Sequence, residues 1–238
     1  MFADADDLLM PRAVEILHRS IACGGYDVLR SHFIREQTSG PDLLLRAKDS
    51  TITWFHGKIY RTSYLKNLGT KIPSHLKTDE DAYFNLIAWY ATEKRGFVDE
   101  TTYIWRDNPR SITRGKTPHD YFISSYRYYI QSQVEALKFI FSHNIPLDDK
   151  VITFTLINVY GYYMHGRYYG CDEVATDQIL IQLREEQRIQ DWFNKRENWV
   201  DVLGTLKAGE QYEDGNIVFF QETFNLWAGR LLWKGATQ

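Results

Sequence analysis

Cysteine is scarce in this 238-residue chain: Cys23 and Cys171 are the two present, and neither lies in a CxxC pair. That argues against a disulfide framework and against a structural zinc site, and a reducing cytoplasm is the expected setting. Excess positive charge is also lacking. With 28 basic and 31 acidic residues the formal net charge is −3, so no broad field holds nucleic acid or an anionic membrane, and a charged ligand must be met by local groups. Long apolar runs are missing too. The most apolar stretch, Val151 to Met164, is interrupted by Thr, Asn and Gly, which is not the pattern of a membrane span. The start, Met1-Phe2-Ala3-Asp4, lacks the basic region and apolar stretch of a signal peptide. The seven histidines show no HExxH spacing, so no zinc ligand is assigned. Internal repeats and low-complexity segments are absent.

What the chain does contain is core-forming material: 44% hydrophobic and 15% aromatic residues, enough for a large domain or a domain with a helical appendix. A short apolar stub, read as a strand end, precedes the acidic turn Asp4 to Asp7, and Ala13, Ile16, Leu17 and Ile21 follow at helical spacing with Pro11 suited to the first turn. Gly24-Gly25 stops that helix, Tyr26 to Glu36 reads as a strand, and Ser39-Gly40-Pro41 as a polar loop. Thr51 to Tyr60 is β-branched and aromatic, as strands are. Thr62 to Leu68 reads as a short helix stopped by Gly69. Asp79-Glu80-Asp81 opens a helix with Thr78 as the candidate cap, and Gly96 to Trp105 predicts another strand, closed by an Asp107-Asn108-Pro109 turn. Beyond Thr117 the pattern becomes helical over roughly Pro118 to His143, Asp148 to Tyr169 and Thr176 to Val202, with a last apolar segment from Val218 to Trp233.

Three clusters can carry chemistry. Asp4, Asp6 and Asp7 crowd one turn, and oxygen-only ligands of this kind suit Mg²⁺ or Mn²⁺ completed by water and substrate phosphate. Taken alone, the same acids more often serve a helix N-terminus through its dipole, and so does the pair Glu80-Asp81, either of which is a candidate general base. Arg106, Arg110 and Arg114, with Ser111 and Thr113, offer planar cations and hydroxyls to phosphate oxygens, and Lys58 is similar in kind; solvated loop charge is the alternative. Tyr126-Arg127-Tyr128-Tyr129 and His165-Gly166-Arg167-Tyr168-Tyr169 interleave rings with cations; they read as core residues with polar tips, or as stacking surfaces.

Taken in order, the motifs over residues 1 to about 115 resemble those of family 2 glycosyltransferases. Phe2-Ala3-Asp4-Ala5-Asp6-Asp7 with Pro11 is similar to the family's FLDADDxxxP segment, and His56-Gly57-Lys58-Ile59-Tyr60-Arg61 with Leu65 to its xGKLYRxxxL element. Glu80-Asp81 with Phe84 is similar to its ED helix, and Tyr103 to Thr113 to its YxYRxxxxSIT segment, with Trp105 in place of the second Tyr. The resemblance implies an α/β fold: a partial GT-A sheet, the acceptor-side part of the catalytic domain, over residues 1–116, with a helical C-terminal region over residues 117–238. It implies an inverting glycosyltransferase of polysaccharide or glycoconjugate synthesis, moving a sugar from a nucleotide diphosphate sugar, a UDP-sugar by preference, to a hydroxyl acceptor. Asp6 and Asp4 match the DxD metal positions for Mn²⁺ or Mg²⁺, with Asp4 and Asp7 also near the nucleotide. Asp81 matches the catalytic base, with Glu80 and His56 on the acceptor side. Lys58, Arg106, Arg110, Ser111, Thr113 and Arg114 fall to the diphosphate. Met1 stands where the family's DxD strand is already under way, so a fragment lacking the N-terminal nucleotide-binding half is expected. Completion by another polypeptide or association of copies follows from that, in the cytoplasm or peripheral to the inner membrane face. The other readings are a non-catalytic binding or assembly module and, lower, a sugar transferase acting on nucleic acid.

Overall fold

A computed structural model describes residues 1–39, 43–108, 118–200, 202 and 221–236. By contacts the chain divides into one unit of Met1–Pro73 with Asp81–Thr117 and a second of Ser74–Glu80 with Pro118–Gln238. The sheet belongs to the first.

The long strand β2 (Val28–Ser39) is the spine of that sheet. Its Val28, Leu29 and Phe33 are buried, as a strand covered on both faces requires. β5 (Arg95–Trp105) runs parallel to it on one side, while β3 (Leu43–Asp49) and β4 (Lys58–Tyr60) pair antiparallel to it. A two-residue strand, β1 (Leu8–Leu9), adds to the outer edge of β5 antiparallel, with Leu8 opposite Ile104 and Leu9 opposite Tyr103. The β2–β5 ladder is irregular between Ser31 and Phe33, where Ser31, His32 and Phe33 pair with Val98, Thr101 and Tyr103, and the extra residues on β5 re-aim the side chains that follow. Helix α1 (Ala13–Cys23) lays Leu17 and Ile21 on Leu29, with Tyr26, Ile59 and Val98 around them. α2 (Thr62–Leu68) ends at Gly69 in the left-handed conformation, φ 68°, as its glycine stop predicts. α3 (Glu80–Tyr90) buries Phe84, Ile87 and Ala88.

Four local expectations give way. Residues 1–4 carry no regular structure, so no strand runs into the acidic turn; pairing is made just after it, by β1. Of the Thr51 to Tyr60 segment only Lys58–Tyr60 is strand, because residues 51–57 curl and send Trp54, Phe55 and His56 into aromatic clusters. Thr78 does not cap α3: its hydroxyl donates to Asp79 Oδ2 at 2.9 Å, and Asp79 takes φ 61° just before the helix. The stretch from Thr176 to Val202 is not one helix, since Glu186 adopts an extended conformation within it.

In the second unit, α4 (Pro118–Ser142) and α5 (Asp149–Tyr168) share a core of Ile130, Val134, Leu137, Leu156, Val159 and Tyr160. Asn144 closes α4 at φ 52°, with the Ile145 N–H donating back to Ile140 O at 3.0 Å, a Schellman-type end. Asp148 caps α5 through the Lys150 N–H, and Asp172 caps α6 (Glu173–Leu180) through the Val174 N–H. α7 (Gln187–Phe193) buries Trp192 beside Phe193 and Trp199, and α8 (Gln221–Leu231) brings Trp227 and Phe224 against Tyr160. Among the described residues no helix is long and apolar enough to cross a membrane.

Candidate functional site

The acidic turn is held by the strand beside it. Continuing the β1–β5 register by one position sets Asp7 at the end of β5, and its carboxylate accepts there twice. The Tyr103 hydroxyl donates to Oδ2 at 2.7 Å and the Arg106 backbone N–H to Oδ1 at 2.9 Å. The same Tyr103 oxygen accepts the Asp4 N–H at 3.2 Å, and Asn108 Nδ2 donates to Asp6 Oδ2 at 2.6 Å. One buried phenol therefore ties both ends of the turn. Burial raises the Asp4 carboxyl above its ordinary range and the neighbouring Asp6 charge adds to it. Asp7 is raised chiefly by burial, against the pull of its two donors.

Beneath Tyr103 lies His56, buried and stacked on it with ring centroids 5.0 Å apart, with Trp105 at 4.8 Å and Phe33 at 5.3 Å. Gly57 follows at φ 63°, a conformation that suits glycine, and its carbonyl accepts both the Ser31 N–H at 2.8 Å and the Ser31 hydroxyl at 2.9 Å. Lys58 is 1% exposed. Its ammonium donates to the carbonyls of Thr51 at 2.9 Å, of Trp54 and of His56 at 3.4 Å. The three N–H donors of an ammonium thus match the curled 51–57 segment. Burial pulls Lys58 down to about 7, with the Asp81 carboxylate opposing.

Asp81 stands in the first turn of α3, its Oδ1 accepting the Ala82 N–H at 2.8 Å. Three positions on, and so on the same helix face, Phe84 meets the Phe2 ring at 5.5 Å, and Phe2 also packs on Phe55 at 4.3 Å and on Tyr60 at 5.8 Å. The residue two before Asp4 is thereby docked on the helix that carries Asp81. Contacts run from Asp4 and Asp7 through Tyr103 and His56 to Lys58, and the Asp81 carboxylate acts on Lys58 through its charge.

The placements differ in kind. Asp4, Asp6, Asp7, His56 and Lys58 come into this one network, Asp81 bears on it through the charge it sets against Lys58, and Glu80 is the half-buried first residue of α3. Arg106 enters through its backbone N–H while its side chain is exposed. The Lys58 ammonium points at loop carbonyls rather than outward. Arg110, Ser111, Thr113 and Arg114 lie outside the described residues. Two residues that sequence reading left without a role, Tyr103 and Asn108, hold the turn; the signal was the strand-closing turn after β5, which must face whatever pairs with that edge.

Divalent cations accept oxygen donors of the kind gathered here. Among the described residues no group of three or more His, Cys, Asp or Glu is set to hold an ion unaided. A turn offering one or two carboxylates fits an ion whose shell is finished by substrate oxygens, and the repulsion between Asp4 and Asp6 is of the sort that a cation relieves.

No family model matches the chain, and no curated protein does. Among solved structures the fold is similar to that of S. aureus TarS 1-349 in complex with UDP, with a TM-score of 0.51 and 17% identity across 89% of this chain. The chain spans 61% of that structure's length. At such identity the likeness is one of fold, and it agrees with the expected α/β class, a sheet followed by helices.

Proposed function

We propose that this chain is the acceptor-side part of an inverting glycosyltransferase of the family 2 kind, moving a sugar from a UDP-sugar to a hydroxyl of a polysaccharide or glycoconjugate. The observation that carries the reading is the Tyr103-anchored acidic turn, in contact through His56 with a buried Lys58 whose charge the Asp81 carboxylate favours, in a fold similar to that of a protein solved with UDP.

In this reading Asp6 and Asp4 hold Mn²⁺ or Mg²⁺, which when bound stabilises the negative charge of the departing diphosphate. Asp7 does not ligate; it keeps the turn in place by accepting from Tyr103 and Arg106. The Asp81 carboxylate takes the proton from the acceptor hydroxyl as its oxygen bonds to the anomeric carbon on the face opposite the breaking bond, which inverts that centre. Glu80, beside it, orients the acceptor. His56 is buried under Tyr103 and positions that ring rather than touching the acceptor. Lys58 holds the 51–57 segment and sets the charge next to Asp81. The exposed Arg106, with Arg110, Ser111, Thr113 and Arg114, is assigned to the diphosphate.

Titration calorimetry of UDP into the chain, with and without Mn²⁺, tests this directly. Heat that requires both the metal and Asp6, and so vanishes in Asp6→Ala, is expected. Asp81→Asn should bind UDP like the parent while any sugar transfer is lost. No UDP binding under any condition would sink the reading for this chain by itself, and would favour the binding or assembly module.

A further inference from the structure

The helical unit contains a cavity of about 760 Å³ that the reading above does not use. Its walls are α4, through Tyr126, Arg127, Tyr128 and Glu135, the α5–α6 corner at Asp172, and His75 from the 74–80 segment. The volume falls inside the roughly 300–1,000 Å³ range of small-molecule sites.

The walls are built to hold their shape. Gly166 on α5 leaves room for the Tyr126 ring: a β-carbon there would stand 2.5 Å from it. The Tyr126 hydroxyl donates to Asp172 O at 2.7 Å and accepts from the Thr176 hydroxyl at 2.9 Å. Asp172 in turn spends its carboxylate on the N-terminus of α6. On the opposite side Glu135 Oε1 receives Gln131 Nε2 at 2.9 Å and lies 2.8 Å from His75 Nε2. Glu135 Oε2 has no partner among the described residues, and neither does the exposed Arg127 guanidinium. Tyr128 is half-buried beside it.

We propose that this cavity is a carbohydrate-binding site for a neutral, hydroxyl-rich oligosaccharide. Arg127 offers a planar pair of donors and Glu135 Oε2 an acceptor, which together suit vicinal hydroxyls, each both donor and acceptor. Tyr128 presents a ring to the apolar C–H face of a pyranose. The charged side chains lining the space are of both signs, Arg127 against Glu135 and Asp172, which does not select a polyanion. The site lies within the helical unit and needs neither nucleotide nor metal, so it stands or falls apart from the transferase reading.

The test is titration of the whole chain, in EDTA, with neutral trisaccharides of glucose, galactose and N-acetylglucosamine, and with inorganic phosphate, followed by calorimetry and by two-dimensional NMR. At least one trisaccharide is expected to bind saturably, with shifts at Arg127, Tyr128 and Glu135. Affinity should fall about tenfold or more in both Arg127→Ala and Tyr128→Ala. Both positions face solvent at least in part, and an unchanged melting temperature will show that the folds are intact. Added UDP should not displace the sugar. Binding to none of the trisaccharides, binding of phosphate alone, displacement by UDP, or affinity indifferent to both substitutions would each overturn the proposal.

Discussion

Removing one oxygen atom from Tyr103 should free the acidic turn while leaving the sheet intact. In Tyr103→Phe the ring keeps its place, 1% exposed and stacked on His56, but two hydrogen bonds go. The bond donated to the Asp7 carboxylate involves a charged acceptor and is worth about 1.5–3 kcal/mol; the one accepted from the Asp4 N–H is worth about 0.5–1.5 kcal/mol. Asp7 keeps its bond from the Arg106 N–H and regains some water, so a local loss of about 2 kcal/mol is expected rather than the full sum. Because the chain has two units, a single unfolding midpoint mixes their contributions, and a local readout is preferable. Amide hydrogen exchange at Asp4 and Arg106 supplies it: about 2 kcal/mol corresponds to exchange roughly 30-fold faster at those two amides, with Val28 and Leu29 on β2 unchanged. A cycle with Asp7→Asn should show coupling of about 1 kcal/mol or more. If exchange at Asp4 and Arg106 moves by less than about twofold, or the two substitutions add within about 0.5 kcal/mol, Tyr103 is not the anchor.

Lys58 carries fewer protons folded than unfolded at pH values between about 7 and its ordinary 10.5. Stability should therefore rise with pH through that window, by about 2 kcal/mol from pH 7 to 9 relative to Lys58→Met, as denaturant titrations at the two pH values would show. Asp79 has the opposite sign. Burial pushes its carboxyl to about 6, so its contribution is full below about 4 and is lost as pH rises through 6; Asp79→Asn should flatten the stability profile between pH 4 and 7 in the same measurement. Gly166→Ala gains helix propensity worth about 1 kcal/mol. It also drives a β-carbon into the Tyr126 ring, at a cost of about 1–3 kcal/mol, so calorimetry should find a net loss and the cavity wall should shift in NMR spectra.

How much of this was legible in the chain depends on how far apart the partners lie. The acidic turn, α1 with its Leu17 and Ile21 stripe, the Gly69 stop and the ring-rich α4 and α5 are local patterns, and the structure contains them. β3 was not legible: Leu43 to Asp49 mixes three leucines with three charged residues in no clear period, and it becomes a strand because the edge of β2 offers it a ladder. Lys58 reads as an outward cation because nothing nearby announces that residues 51–57 will curl and turn their carbonyls upon it. Tyr103 and Asn108 acquire their parts only through the two-residue pairing of β1 with β5, which joins segments nearly a hundred positions apart.

That separation also has a meaning in time. Asp7 and Tyr103 are 96 residues apart, and at ribosomal rates of about 5–20 residues per second the turn leaves the ribosome roughly 5–20 seconds before its anchor is made. During that interval Asp4, Asp6 and Asp7 are repelling charges on an unpaired segment, open to proteases and to any chaperone that reads extended chain. Synthesis past Trp105 is what ends that exposure.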